Sequence, residues 1–146
     1  MKRLLVIEDG TEYAEFARLF LGSEFRVIAA QSAAEAVCAA EAEPGCALLI
    51  DLRFDRASQD VLTGDLDATA ERLFAGDRVR ALRHLQDQQG VLILAELRKL
   101  GHRQPAVFVH DFPSRRLENL RRLYGDVRAV PSFDAQALRL ALGGEA

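Results

Sequence analysis

Glu8 and Asp9 directly follow an apolar run, Leu4-Leu5-Val6-Ile7, and Asp51 follows another, Ala47-Leu48-Leu49-Ile50. If both runs are strands of one open parallel sheet, the three acids stand beyond the strands' carboxyl ends, where such sheets bind ligands. Carboxylates gathered at one point repel one another and favour a hard cation with oxygen ligands, such as Mg2+. A carboxylate beside that cation can act as a nucleophile toward a phosphoryl group. The alternative is a solvated loop end that binds nothing, in which case the repulsion would bring no return.

The elements that would position these acids are short apolar runs alternating with helical patterns, which argues for βα units and a parallel sheet. Strands are predicted at residues 4–7, 26–30, 47–52, 106–110 and 127–130. The first helix follows Gly10, with Tyr13, Phe16, Ala17 and Phe20 on one apolar face. The second starts at Ser32, with Glu35 three positions on in the capping-box arrangement, and ends before Pro44-Gly45. A further helix is expected over 91–100, stopped by Gly101. Ser114 and Asp134 are placed to cap the last two helices, the first carrying Leu117, Leu120 and Leu123 inward and the second Leu138, Ala141 and Leu142. The fold class is therefore α/β: a flavodoxin-like, doubly wound sheet of five parallel strands in the order 2-1-3-4-5, with helices on both faces.

Residues 55–89 break the rhythm. They are too many for an ordinary βα loop of about 2–6 residues. Leu66, Ala70, Leu73 and Phe74 share one helical face, Val79, Leu82 and Leu85 share another, and Gly76-Asp77 separates them as a stop and a cap. The spacing predicts a helical hairpin inserted beside the acids within one domain spanning 1–146.

Composition narrows the function classes. The chain has 146 residues, the size of one domain, and is 49% apolar, enough for one sizeable core. A net charge of −3 argues against a sequence-independent nucleic-acid binder, which carries a basic face. No run is long enough to span a membrane, and Met1-Lys2-Arg3 leads into only a few apolar residues, so a cytoplasmic location is expected. Cys38 and Cys46 lack zinc-site spacing and read as free, buried thiols. No Gly-rich phosphate loop follows the first strand, which speaks against a nucleotide binder. His110-Asp111 has no nucleophilic Ser or Cys motif to serve, and His110 reads instead as lining the acidic pocket.

Several of these segments, taken in order, resemble the receiver domains of response regulators in two-component signalling. The opening Leu-Leu-Val-Ile-Glu-Asp is similar to the family's first strand and acidic pair, and Leu-Leu-Ile-Asp-Leu to its phosphoacceptor segment. The run beginning Gly90-Val-Leu-Ile-Leu resembles its third helix, Pro105-Ala-Val-Phe-Val its fourth strand, and Val130-Pro131 the end of its fifth. The resemblance covers nearly all of the chain outside 55–89. It implies that Asp51 is the phosphoacceptor. It further implies that Asp9 is a direct Mg2+ ligand, that Glu8 holds the cation through water, and that the main-chain carbonyl of Arg53 completes the shell. The expected partners are a histidine kinase or phosphotransfer protein, a downstream protein, and a second copy in a homodimer. No direct contact with nucleic acid or membrane is expected.

The sequence departs from the family pattern at the positions that read the signal. His110 stands where the family has Ser or Thr, Val130 where it has Lys, and Val127 where it has an aromatic switch residue. Arg53 is a candidate to supply the missing positive charge to a phosphoryl group, and Arg56, or an arginine of the insertion such as Arg78, could also fold over the site; the alternative for each is a solvated surface residue. Two functions compete: an atypical receiver phosphorylated on Asp51, and a phosphorylation-independent pseudo-receiver that binds protein partners. An enzyme is not expected, because an aspartyl-phosphate hydrolase wants an acid two positions after its nucleophile, where Arg53 stands here. No output domain is read after the last helix, so the chain is either a stand-alone receiver or a piece of a longer protein. Arg115, Arg116, Arg121 and Arg122 make the penultimate helix basic, suited to an acidic partner surface or to solvent.

Overall fold

A computed structural model describes residues 1–143. Five strands, β1 (Lys2–Ile7), β2 (Phe25–Ala30), β3 (Ala47–Ile50), β4 (Ala106–Val109) and β5 (Val127–Val130), form one parallel sheet in the order β2-β1-β3-β4-β5. Seven helices are described: α1 (Glu12–Phe20), α2 (Ala33–Ala42), α3 (Leu66–Leu73), α4 (Arg78–Asp87), α5 (Gln89–Lys99), α6 (Ser114–Tyr124) and α7 (Ala135–Ala141). The predicted doubly wound order is the observed one.

Alternation along the strands divides the core between the two sheet faces. Leu4, Val6, Leu49 and Val107 pack with Ala14, Ala17 and Leu138 under α1 and α7. Leu5, Ile7, Leu48, Ile50 and Phe108 pack with Ala36, Ile93, Leu97 and Leu120 under α2, α5 and α6. Because residues of both parities are buried, the central strands read as continuous apolar runs. Cys46 is buried as expected, but Cys38 is exposed, because its position on α2 faces away from the sheet.

Element ends differ from expectation in ways that matter. β3 stops at Ile50 and β4 at Val109, so Asp51 and His110 stand just past their strands. Helix α5 begins two residues earlier than expected, at Gln89, and Gly90 is why it can. The Gly90 amide donates to the Leu52 carbonyl at 2.9 Å. A Cβ on Gly90 would lie 2.4 Å from the Asp51 carbonyl oxygen, a distance no side chain tolerates. The glycine thus lets α5 press against the backbone that carries Asp51. Ser32 caps α2 through the Glu35 amide as predicted, while Ser114 makes no side-chain cap on α6, and Leu123 is exposed.

The insertion after β3 contains the helical hairpin, α3 and α4, preceded by a single 3-10 turn at Gln59–Val61. Asp77 caps α4 by accepting from the amides of Val79 and Arg80. The hairpin's apolar faces are narrower than the spacing suggests. Ala70, Ala81 and Leu85 are buried, but Leu73 and Val79 are 60% and 80% exposed, because the hairpin covers only part of the domain. The buried Gln89 side chain ties its base down, accepting from the Thr63 amide at 2.7 Å and donating to the Thr63 and Leu85 carbonyls. Among the described residues no helix is long and apolar enough to cross a membrane.

Candidate functional site

Parallel pairing sets three strand ends at one level. The Asp51 amide donates to the Ile7 carbonyl at 2.8 Å, the Glu8 amide to Ala30 at 3.1 Å, and the His110 amide to Val130 at 2.9 Å. Above them opens a cleft of about 260 Å³ lined by Asp9, Tyr13, Asp51, Leu52, Arg53, Asp55, Arg56, Val109 and His110. The cleft thus lies beyond the carboxyl ends of β1, β3 and β4, where the topology calls for a ligand site.

The three acids do not converge as the sequence suggests. Glu8 is 1% exposed and points into the start of α1. Its oxygens accept from the Tyr13 amide at 2.9 Å and the Ala14 amide at 2.8 Å. Both are first-turn amides with no partner inside the helix, and the helix N-terminus attracts the negative charge. The N-cap residue Thr11 makes no side-chain cap, so Glu8 takes that role. Burial raises the Glu8 carboxyl above its usual range, with the two amide bonds opposing it. Glu8 is thus turned toward the helix amides and is not among the residues that line the cleft. Among the described residues no group of three His, Cys, Asp or Glu is arranged to hold a metal ion.

Asp9 and Asp51 remain in the cleft. Asp51 is pushed up to about 7, chiefly by burial and then by the neighbouring charges of Asp9 and Glu8, while the Arg53 amide and the Tyr13 hydroxyl act in the opposite direction. The Arg53 amide donates to Asp51 Oδ1 at 3.3 Å and the Tyr13 hydroxyl to the same oxygen at 3.4 Å. Burial and the charge on Asp51 raise the Tyr13 phenol well above its ordinary range, so it serves as a donor. Asp9 has a side chain only 5% exposed and accepts from the Arg56 amide at 2.7 Å, with the Arg56 guanidinium 3.8 Å away. That guanidinium bonds both oxygens of Glu12 at 3.0 Å and draws Glu12 down to about 2.

The donor chemistry fits a divalent cation of modest protein coordination. Mg2+ commonly takes one or two carboxylates and keeps several waters. Asp9 and Asp51 supply two carboxylates, and the Asp51 carboxyl, raised chiefly by burial and secondarily by the charge of Asp9, is one that a bound cation would return to its ionised form.

The positions expected to read a signal are placed as follows. His110 lines the cleft and stacks edge-on against Phe112 with ring centroids 4.6 Å apart. Burial, followed by the charges of Arg53 and Arg116, lowers its pKa and favours the neutral ring. Val130 is buried in the core under α1 and α7, and Val127 in the core under α5 and α6, so neither reaches the cleft. Arg53 lines the cleft with an exposed side chain. Arg78 instead pairs with Asp67 within the hairpin. Of the basic residues on α6, Arg116 bonds Gln88 and Arg121 donates to the Val127 carbonyl at 2.8 Å, so part of that face is committed internally.

Tyr13 is a neighbour of Asp51 that sequence reasoning misses, because its spacing marks it only as part of the apolar face of α1. Its place in the first turn after the acid pair is the available signal.

No family model matches the sequence, and no curated protein matches it. Solved structures do resemble it. A two-component response regulator from Clostridium difficile is 11% identical over 97% of this chain and 96% of that chain, with a TM-score of 0.63. A response regulator receiver domain protein from Clostridium thermocellum is 15% identical over 97% and 91%, with a TM-score of 0.60. A response regulator receiver domain protein from Methanospirillum hungatei JF-1 is 16% identical over 94% and 87%, with a TM-score of 0.59. Likeness to these structures over nearly the full length means that this chain has the fold of response-regulator receiver domains.

Proposed function

We propose that the chain is a receiver module of two-component phosphorelay signalling and that Asp51 accepts the phosphoryl group. The observation that carries this reading is the Asp51 carboxylate at the end of β3, inside a cleft that also presents Asp9, Arg53 and His110. In the transfer, an Asp51 carboxylate oxygen bonds to phosphorus as the bond from phosphorus to the donor's imidazole nitrogen breaks. The electron pair leaves with the imidazole, and an acyl phosphate forms. The donor is a histidine kinase or a phosphotransfer protein.

Only the ionised form of Asp51 attacks, and its hydrogen bonds with the Arg53 amide and the Tyr13 hydroxyl orient one oxygen. Asp9, Asp51 and the main-chain carbonyl of Arg53 would hold Mg2+. When bound, that ion supplies positive charge that reduces repulsion between the carboxylate and the phosphoryl oxygens. The Arg53 side chain adds charge at the cleft mouth, where the family lysine is replaced by the buried Val130. Glu8 contributes by fixing α1, and with it Tyr13, beside the acceptor.

A second reading is a phosphorylation-independent pseudo-receiver, favoured by the apolar burial of Val127 and Val130. Incubation with Mg2+ and acetyl phosphate, followed by intact mass, separates the two. A phosphate adduct on the wild type and none on Asp51→Asn supports the receiver. No adduct on either, with Mg2+ binding shown separately, transfers the conclusion to the pseudo-receiver.

A further inference from the structure

We propose that Arg56 is a tethered counter-cation for Asp9, and that a divalent cation takes Asp9 only by displacing it. The inference rests on the reading of Asp9 and Asp51 as cation ligands. Three contacts place the arginine. Its amide donates to Asp9 Oδ2 at 2.7 Å, its guanidinium lies 3.8 Å from Asp9 Oδ1, and the same guanidinium forms a two-pronged pair with Glu12. Such a planar fork on a carboxylate is geometrically specific.

The surroundings are shaped for it. The pair lies close over the loop after β1, with Arg56 Nη2 2.4 Å and Glu12 Oε2 2.3 Å from where a Cβ on Gly10 would stand. The backbone on both sides of Arg56 is anchored to α4. The Phe54 amide donates to the Gln86 carbonyl at 2.9 Å, and the Gln86 side chain donates to the Ala57 carbonyl at 3.2 Å. Phe54 itself is 1% exposed. Arg56 therefore spans a short arc whose ends are held, and Asp9 lies nearly covered beneath it.

An exposed ion pair alone contributes little. Here the charge is delivered with a backbone hydrogen bond to the same carboxylate, so a cation arriving at Asp9 must break contacts as well as shed water. Coupling of this kind is reciprocal. If Arg56 weakens cation binding, then cation binding loosens residues 55–57 from β1, and occupancy of the cleft is communicated to the insertion.

The test is titration of the full chain with MgCl2 by calorimetry, comparing wild type with Arg56→Ala and Arg56→Gln. The expected result is roughly tenfold tighter Mg2+ binding in both variants, at unchanged circular dichroism. In the wild type, saturating Mg2+ should speed hydrogen exchange of the Arg56 amide, which is bonded to Asp9. Equal or weaker Mg2+ affinity in both variants overturns the proposal and leaves the cation site standing. Absence of Mg2+ binding in all three proteins overturns the cation site and the proposal together. The glutamine variant removes the charge but keeps a polar, partly aliphatic side chain, so the comparison survives if the alanine variant folds poorly.

Discussion

Replacing Asp51 with Asn should stabilise the unphosphorylated, metal-free protein, and increasingly so as pH rises. Asp51 moves from 3.8 to about 7 on folding, chiefly because burial disfavours its charge. The folded state therefore holds this proton more tightly than the unfolded chain. Below the unfolded value both states are protonated and the site costs nothing. As pH rises toward the folded value the penalty grows, and above it the penalty is complete. At about 1.4 kcal/mol per tenfold in proton affinity, the full displacement corresponds to roughly 4 kcal/mol. The open mouth of the cleft screens this charge, so about 2 kcal/mol is the realistic size. Urea unfolding in EDTA at pH 5 and pH 8 measures it. The advantage of Asp51→Asn over wild type should widen by about 1 kcal/mol between these pH values, while groups titrating alike in both proteins cancel. With urea slopes of about 1–3 kcal/mol/M, that is a relative midpoint shift of roughly half a molar. Saturating Mg2+ should narrow the gap. Parallel stability curves across pH, or a variant that is less stable at pH 8, would refute the reasoning.

Three further outcomes are expected. Gly90→Ala should destabilise the protein by about 3 kcal/mol in urea unfolding and lower phosphate uptake by Asp51, because its Cβ collides with the Asp51 carbonyl. Arg98→Met should cost roughly 3 kcal/mol in the same assay. Its buried guanidinium donates to the carbonyls of Tyr124, His102 and Asp126 at 2.7, 2.8 and 3.0 Å, and methionine leaves all three without that donor. Glu8→Ala should lose about 2 kcal/mol by uncapping α1, whereas Glu8→Gln, which keeps an acceptor and sheds a buried charge, should stay within about 1 kcal/mol of wild type by thermal melting.

Much of the architecture is legible in the sequence because it rests on local and repetitive signals. Apolar runs of strand length, alternating with helical spacing, imply parallel pairing, and that pairing brings the ends of β1 and β3 together. The neighbourhood of Asp9 and Asp51 follows from the sequence pattern alone for that reason. The inserted hairpin announces itself through the cap at Asp77 and the spacing from Leu66 to Leu85, although Leu73 and Val79 are exposed. Spacing shows which residues share a helical face, but the burial of that face depends on how much neighbouring surface is present to cover it.

Side-chain direction is the part that local pattern does not supply. Glu8 and Asp9 are adjacent in sequence, so on a strand end they face opposite ways: Asp9 enters the cleft and Glu8 enters α1. Which of them meets the helix amides depends on where α1 crosses the sheet, and that is set by packing of Ala14 and Ala17 against Leu4 and Val6. Arg56 and Tyr13 reach the site from other segments, and neither position carries a motif. Fold class, strand order and the acid at the end of β3 are encoded in periodicity and short-range chemistry, which any stretch of the chain displays without its distant neighbours. Which acids face one another, which cation lies on Asp9 and how far burial lifts Asp51 emerge only on folding. They depend on distances of a few ångströms between elements that are far apart along the chain.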